Sequence, residues 1–320
     1  MKVSELLKEI PRETLQELLE KSDLRGALSL VTGYALLFLS FALIYFYPYP
    51  LAWFITLIIL ANRQLGLAIL MHDAAHGTLF KTPVLNTILG RWLCAAPVLA
   101  DLDRYRTYHL EHHRTAGTAQ DPDRSNYEAY PVHQKSFFRK VIRDMTGVTG
   151  LKIFIIVIKM NAGLVKYQLS YDKTKKSTKP TLLKQLSGLI RGLYPTVIFH
   201  ALILSLFILI KRPEIYLSWW LAWFTFYMLF SRIRNAAEHG ATKDINTDNP
   251  LLNTRTTQAN VLERLTVAPH FVNYHLEHHI LATVPPHKLK KFHQLLKSKN
   301  LLQQSSLSSG YWSVLRELVH

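Results

Sequence analysis

The residues best equipped for chemistry in this 320-residue chain are histidines, and they come in patterned groups. The string Tyr-His-Leu-Glu-His-His occurs twice, at residues 108–113 and 274–279. In a helix each copy sets three imidazoles at i, i+3 and i+4, on one face. His72 and His76 form a further pair one helical turn apart, and Asn235 with His239 place an amide and an imidazole at the same spacing. Nine histidines and one asparagine therefore occupy four short patches with no cysteine beside them. Such spacing is metal-ligand geometry, and a nitrogen-rich set without thiolates suits a metal that reacts rather than one that merely holds a fold.

Number narrows the chemistry. A structural zinc takes four ligands and a catalytic zinc three plus water, whereas ten candidates suffice for two metals with positions left open. Two irons with exchangeable positions can bind and reduce dioxygen, the oxidant that an inert C–H bond demands. The acids inside the motifs, Asp73, Glu111, Glu238 and Glu277, are expected to accept hydrogen bonds from ligand imidazoles, because the surplus of histidines makes carboxylate ligation unnecessary. Asp121 and Asp123 read as a turn around Pro122, with hydrogen bonds to ligand histidines as the second reading. His270 is expected to anchor a loop or support a ligand, His200 to be a packing residue, and His133, His287, His293 and His320 to be ordinary surface residues.

The elements that must position these patches are membrane helices. A hydrophobic content of 49% is concentrated in runs, and residues 26–47, 51–71, 192–210 and 215–231 are each long enough to span a bilayer. Short turns at 48–50 and 211–214 join them into two hairpins that enter from one side. The predicted fold is thus an all-α membrane protein with four transmembrane helices. Among the lysines and arginines, Arg63 alone lies within a span, where it is expected to snorkel, and Lys211 and Arg212 alone fall in a far-side turn. The excess of positive charge makes the other face, with both termini and all four patches, cytoplasmic. The same distribution explains the net charge of +16 without nucleic acid, since the basic residues lie between apolar runs. Cys94, the single cysteine, excludes an internal disulfide framework and fits a reduced compartment.

The organisation expected is one unit, 1–320. Residues 1–25 form an amphipathic helix broken at Pro11, with no removable signal peptide expected, and 26–71 form the first hairpin. Residues 72–188 make a cytosolic segment, 189–231 the second hairpin, and 232–320 a second cytosolic segment. Lys152, Lys159 and Lys166, seven apart, place 148–169 on a helix lying in the membrane interface. Residues 171–180 read as a flexible connection, and the basic stretch 286–300 as a helix that rests on anionic lipid.

His72-x-x-x-His76, His109-x-x-His112-His113 and His275-x-x-His278-His279, in that order and split by a pair of spans, resemble the three histidine boxes of the integral-membrane fatty acid desaturases. Asn235-x-x-x-His239 is similar to a further Asn and His that follow the last span in acyl-CoA members. The resemblance covers roughly residues 30–295. It implies a mushroom-shaped fold with a cytosolic helical cap over four spans. It also implies two irons held by His72, His76, His109, His112, His113, His239, His275, His278 and His279, with Asn235 reaching one iron through water. The implied reaction introduces a double bond into a lipid acyl chain, using O2 and two electrons. Three intervening residues in the first box, not four, make the chain more similar to acyl-lipid and sphingolipid desaturases. The absence of a His-Pro-Gly-Gly haem signature implies a separate electron donor, a ferredoxin or small cytochrome.

Three rivals remain at this stage. Residues 112–123 also resemble the related di-iron carotenoid ketolases and hydroxylases. A zinc-dependent membrane amidase needs about three ligands and leaves most histidines idle. A metal transporter expects ligands near mid-bilayer, where His200 alone lies.

Overall fold

A computed structural model describes residues 2–169 and 180–320, so most of the connection expected at 171–180 lies outside the described residues. The chain is mostly helical. At the N-terminus α1 (Val3–Lys8) and α2 (Arg12–Leu19) break at Pro11 as expected, and bury Leu6 and Leu18. Helix α3 (Asp23–Phe46) begins at Ser22, whose side chain accepts from Arg25 N, and α4 (Pro50–Ala75) begins with proline at its first turn. The two pack side by side as a hairpin.

Helix α4 is the centre of the molecule. From Leu60 to Ala75 every residue except Ala68 is buried, the pattern of a helix enclosed on all sides. By contrast, α3 and the later α10 (Leu182–Leu209) expose apolar residues, with Leu39 64% and Leu202 66% accessible. An apolar outside around an enclosed apolar core is the arrangement of a protein solvated by lipid. Helices α3, α4 and α10 are long and apolar enough to cross a membrane.

Between α4 and α10 the chain runs through α5 (Pro83–Leu89), a π-helical turn at Gly90–Ala95 and a 3-10 turn at Ala96–Val98 into α6 (Leu102–Thr115). Residues 83–98 and 102–115 are bent 91° to each other, and only together are they long enough to cross a membrane. The apolar stretch at 83–98 was not anticipated. Then follow α7 (Arg124–Tyr127), α8 (Gln134–Met145) and α9 (Val148–Asn161). The helix expected over 148–169 stops at Asn161, because Gly163 turns the backbone to φ +72, so Lys166 is not on it.

The fourth expected span is helical but subdivided into α11 (Tyr216–Ala222), a π-helical turn at Trp223–Tyr227, and α12 (Met228–His239). Asp144 of α8 and Arg232 of α12 form a fully enclosed bidentate pair at 2.5 and 2.9 Å. The C-terminal region contains α13 (Pro250–Asn253), β1 (Arg255–Thr257), α14 (Val261–Arg264), α15 (His275–Ile280), α16 (Pro286–Ser298), β2 (Ser306–Ser308) and α17 (Tyr311–Leu318). The two short strands pair in parallel, Arg255 opposite Ser306.

Arg63 does not snorkel. It is 8% exposed and bonded to Asn62, whose amide donates to the carbonyls of Arg264 (3.2 Å) and Thr266 (2.7 Å). The loop after α14 thus lies against α4. At its tip His270 and Phe271 both adopt positive φ, 51° and 63°, and a Cβ on Gly66 would meet the His270 ring at 3.1 Å. His270 is a loop anchor, and the glycine leaves the space it fills.

Candidate metal centre

Four helix ends converge. Helix α4 delivers His72 in its last turn and His76 at its cap; α6 delivers His109, His112 and His113; α12 ends on His239; α15 carries His275, His278 and His279. Two of these helices are fastened by side chains from nearby. The Asp101 side chain caps α6 by accepting from Asp103 N (3.0 Å) and Arg104 N (3.1 Å). The buried Arg255 guanidinium gathers the end of α12, donating to the carbonyls of Ala237 (2.9 Å), Gly240 (2.8 Å) and Ala241 (3.0 Å) and to Glu317 (2.8 Å).

The nine histidines lie in two adjacent groups, one of His72, His76, His109, His113 and His278, the other of His112, His239, His275 and His279, with ligand atoms within 4.8 Å of one another in each. In the first, Nε2 of His278 is 2.9 Å from Nε2 of both His72 and His113, and His113 Nε2 is 3.1 Å from His109 Nε2. In the second, Nε2 of His239 and His275 are 2.9 Å apart. The stacked rings of His113 and His279, centroids 4.2 Å apart, join the groups.

The tautomers identify what these nitrogens offer. His239 Nδ1 donates to the Asn253 carbonyl (3.0 Å), which can only accept, so its Nε2 carries a lone pair. His275 Nδ1 lies 3.3 Å from Glu238 Oε1 without an aligned hydrogen bond, and its Nε2 faces the His239 lone pair. Two imidazole nitrogens 2.9 Å apart are close enough to share one cation. Among the described residues, Nε2 of His76 and of His279 are buried without a hydrogen-bond partner, which fits the same purpose. Burial, and then neighbouring imidazoles, hold His275, His278 and His279 well below the usual histidine range, so they stay neutral. The donor set fits metal ions.

Supporting residues are only partly those expected. His72 Nδ1 meets Asp73 Oδ1 at 2.9 Å, and Glu238 faces His275. His112 Nδ1 donates to Asp121 Oδ1 (2.7 Å), and Tyr127 OH donates to Asp121 Oδ2 (2.5 Å). Burial raises the Asp121 carboxyl, but the His112 bond and charge outweigh it and bring the group below the usual range. Glu111, expected to brace an imidazole, pairs instead with Arg114 at 2.6 and 3.0 Å, its i+3 neighbour at the surface. Glu277 accepts from Thr256 Oγ1 and from His293 Nδ1 (2.7 Å), not from a residue of either group. His293 is therefore no surface residue; it is buried on α16. Asn235 is half-buried beside the groups, and its Oδ1 accepts from Arg234 Nη1 (2.8 Å). Arg255, Arg234 and Tyr105 were not foreseen. Only the i, i+4 spacing of Arg234 and Glu238 could have signalled one of them.

An apolar cavity of about 150 Å³ adjoins the centre, walled by Leu65 and Ile69 of α4, Ile156 and Val157 of α9, and Trp223 and Met228 of the last span. Tyr105, Arg234 and Asn235 line both this cavity and a small recess that reaches His109, His112, His239 and His275. They form the partition between apolar space and imidazoles. Tyr105 stacks flat on His109, centroids 5.2 Å apart and planes 9° apart.

Comparison with known proteins gives a consistent answer. Residues 48–308 match the family model described as fatty acid desaturase. The chain is 26% identical over 287 residues to a dihydrorhizobitoxine desaturase of Bradyrhizobium elkanii, covering 83% of this chain and 74% of that protein. It is 23% identical to a chloroplastic omega-6 fatty acid desaturase of Arabidopsis thaliana, covering 98% and 68%. With an sn-1 oleoyl-lipid 12-desaturase of Synechocystis sp. it shares 24% identity over 93% and 82% of the two chains.

Proposed function

The chain belongs to the fatty acid desaturase family, and on that premise we propose that it desaturates the acyl chain of a membrane lipid at two irons held by its nine clustered imidazoles. It is an oxygen-dependent oxidoreductase of a membrane, and iron is the metal of its family. One observation carries the finer reading: bare imidazole nitrogens converge in two touching groups directly behind the partition of an apolar cavity.

His72, His76, His109, His113 and His278 would hold one iron, and His112, His239, His275 and His279 the other, with Asn235 contributing through water. The iron pair supplies dioxygen binding and reduction when bound. Two adjacent methylenes lose two hydrogens and gain a second bond; dioxygen, two electrons from a donor and two protons account for the two waters formed. The chain's own contribution is positional. The cavity between α4, α9 and the last span takes the acyl chain and excludes water from it. Asp121 and the Asn253 carbonyl accept from Nδ1 of His112 and His239 so that Nε2 of each points inward.

In the same reading the four spans form two hairpins with both termini and all four patches cytoplasmic, and the remaining helices form the cap. Helix α9, apolar with Lys152 and Lys159 exposed, lies at the interface and walls the cavity on the lipid side. The basic cap suits an acidic ferredoxin or small cytochrome as electron donor. Mass spectrometry of acyl chains from a host supplying such a donor tests the function: new double bonds are expected, with about two irons per chain on metal analysis. Unchanged acyl chains beside oxygenated carotenoids would turn the reading to oxygen insertion.

A further inference from the structure

Two arginines on α12 are used differently. Arg232 reaches across to Asp144 and fastens α12 to α8. Among the described residues, the hydrogen bond and the ion pair of Arg234 both fall on its own helix. Its Nη1 donates to the Oδ1 of Asn235 at 2.8 Å. Its Nε lies 2.5 Å from Glu238 Oε1, which lies 3.3 Å from His275 Nδ1. Neither Nε nor Oε1 makes an aligned hydrogen bond, so this second contact is an ion pair whose strength is Coulombic. The Arg234 side chain is only 16% exposed, a placement too costly for a guanidinium without a reason. It also lines both the apolar cavity and the histidine recess, as Asn235 does.

An asparagine amide can present either its oxygen or its nitrogen. With Oδ1 accepting from Arg234, the orientation of the amide at the partition is tied to the guanidinium. The guanidinium aims Nη1 at the amide while its charge holds the carboxylate, and a lysine ammonium on a flexible stem does not fix the direction of the first contact. We infer that Arg234 is a positioning residue that sets the Asn235 amide with one arm and Glu238, hence His275, with the other, keeping the cavity partition in register with the second histidine group. The inference rests on the proposed metal role of the histidines.

Cobalt(II) alone is the probe, added to the metal-free full-length protein and to its Arg234→Lys and Arg234→Gln variants. Both variants are expected to take up as much cobalt as the wild type, since no imidazole is lost, while the visible absorption of the bound cobalt changes. In the iron-loaded enzyme kcat is expected to fall by about tenfold or more with KM nearly constant, the size of effect seen when residues behind metal ligands are changed. A double variant, Arg234→Gln with Glu238→Gln, removes the unpaired buried charge and keeps the test open if the single variant misfolds; its cobalt spectrum is expected to stay altered. A wild-type spectrum and kcat in Arg234→Lys would reduce Arg234 to a counter-charge and overturn the inference. A lowered melting temperature with an unchanged spectrum would do the same, by making its role structural. Failure of the wild type itself to bind cobalt would instead overturn the metal reading, and this inference with it.

Discussion

Residues 108–113 and 274–279 are the same six amino acids in two different settings. The first copy sits in the later turns of α6, a 14-residue helix with a well-made cap; the second fills α15, six residues long with no side-chain cap. Their histidines nevertheless behave as mirror images. The i and i+4 imidazoles of each copy, His109 with His113 and His275 with His279, fall in one group, and the i+3 imidazole, His112 or His278, crosses to the other. The remaining residues diverge. Leu110 is 48% exposed and Leu276 0%; Glu111 pairs with Arg114 at the surface, while Glu277, 0% exposed, is bound by Thr256 and His293. A helix of α15's length does not stand alone, so its non-histidine side chains serve as anchors, a duty that α6 does not impose.

The mirror relation is broken most severely at the crossing residues. His278→Ala, and equally His112→Ala, is expected to abolish desaturation and lower iron content while membrane insertion persists. Acyl-chain mass spectrometry, metal analysis and membrane fractionation check this, and activity near the original level would refute a ligand role. The contrast between settings should appear next in stability. Leu276→Ala is expected to cost about 3 kcal/mol, the loss for a fully buried leucine, against less than about 0.5 kcal/mol for Leu110→Ala. Thermal unfolding in detergent compares them, and equal shifts would erase the distinction drawn here.

Glu277→Ala strands His293 and the Thr256 hydroxyl in the interior, a loss of about 2 kcal/mol, whereas Glu111→Ala removes an exposed, solvent-screened pair and is expected to leave stability nearly unchanged. The same unfolding assay separates them, and iron content is expected to fall in the first variant alone. The smallest effect concerns protons. His275, His278 and His279 are held below the free-imidazole value of 6.5, so below that pH the unfolded chain binds protons that the fold refuses. Metal-free protein is therefore expected to melt at lower temperature at pH 6 than at pH 7.5. A melting temperature that rises on acidification would contradict the neutral assignment.

The histidine patches could be read from sequence because their logic is local: i, i+3 and i+4 spacing is a property of any helix. Three of the spans, the break at Pro11 and the loop-anchoring part of His270 were legible for similar reasons of composition and turn chemistry. Glu277 was misread because its partner, His293, lies on another helix, and no periodicity links the two. Arg63 was misread because the loop bearing Arg264 and Thr266 packs against its span, burying what a lone lipid-facing helix would have let reach the surface. The end of α9 turned on one glycine, Gly163, within a run that is otherwise continuous.

By itself, then, the amino-acid order determined which nitrogens could act together and which segments lipid could solvate. Helical repeat and hydrocarbon length act over a few residues and need no partner. Only tertiary structure decided that the i+3 imidazoles change groups, that Asp121 orients His112 and the Asn253 carbonyl orients His239, and that α4, α9 and the last span enclose an apolar space beside the two groups. These are contacts between segments far apart in the chain, and they depend on how whole helices pack, which local spacing does not encode.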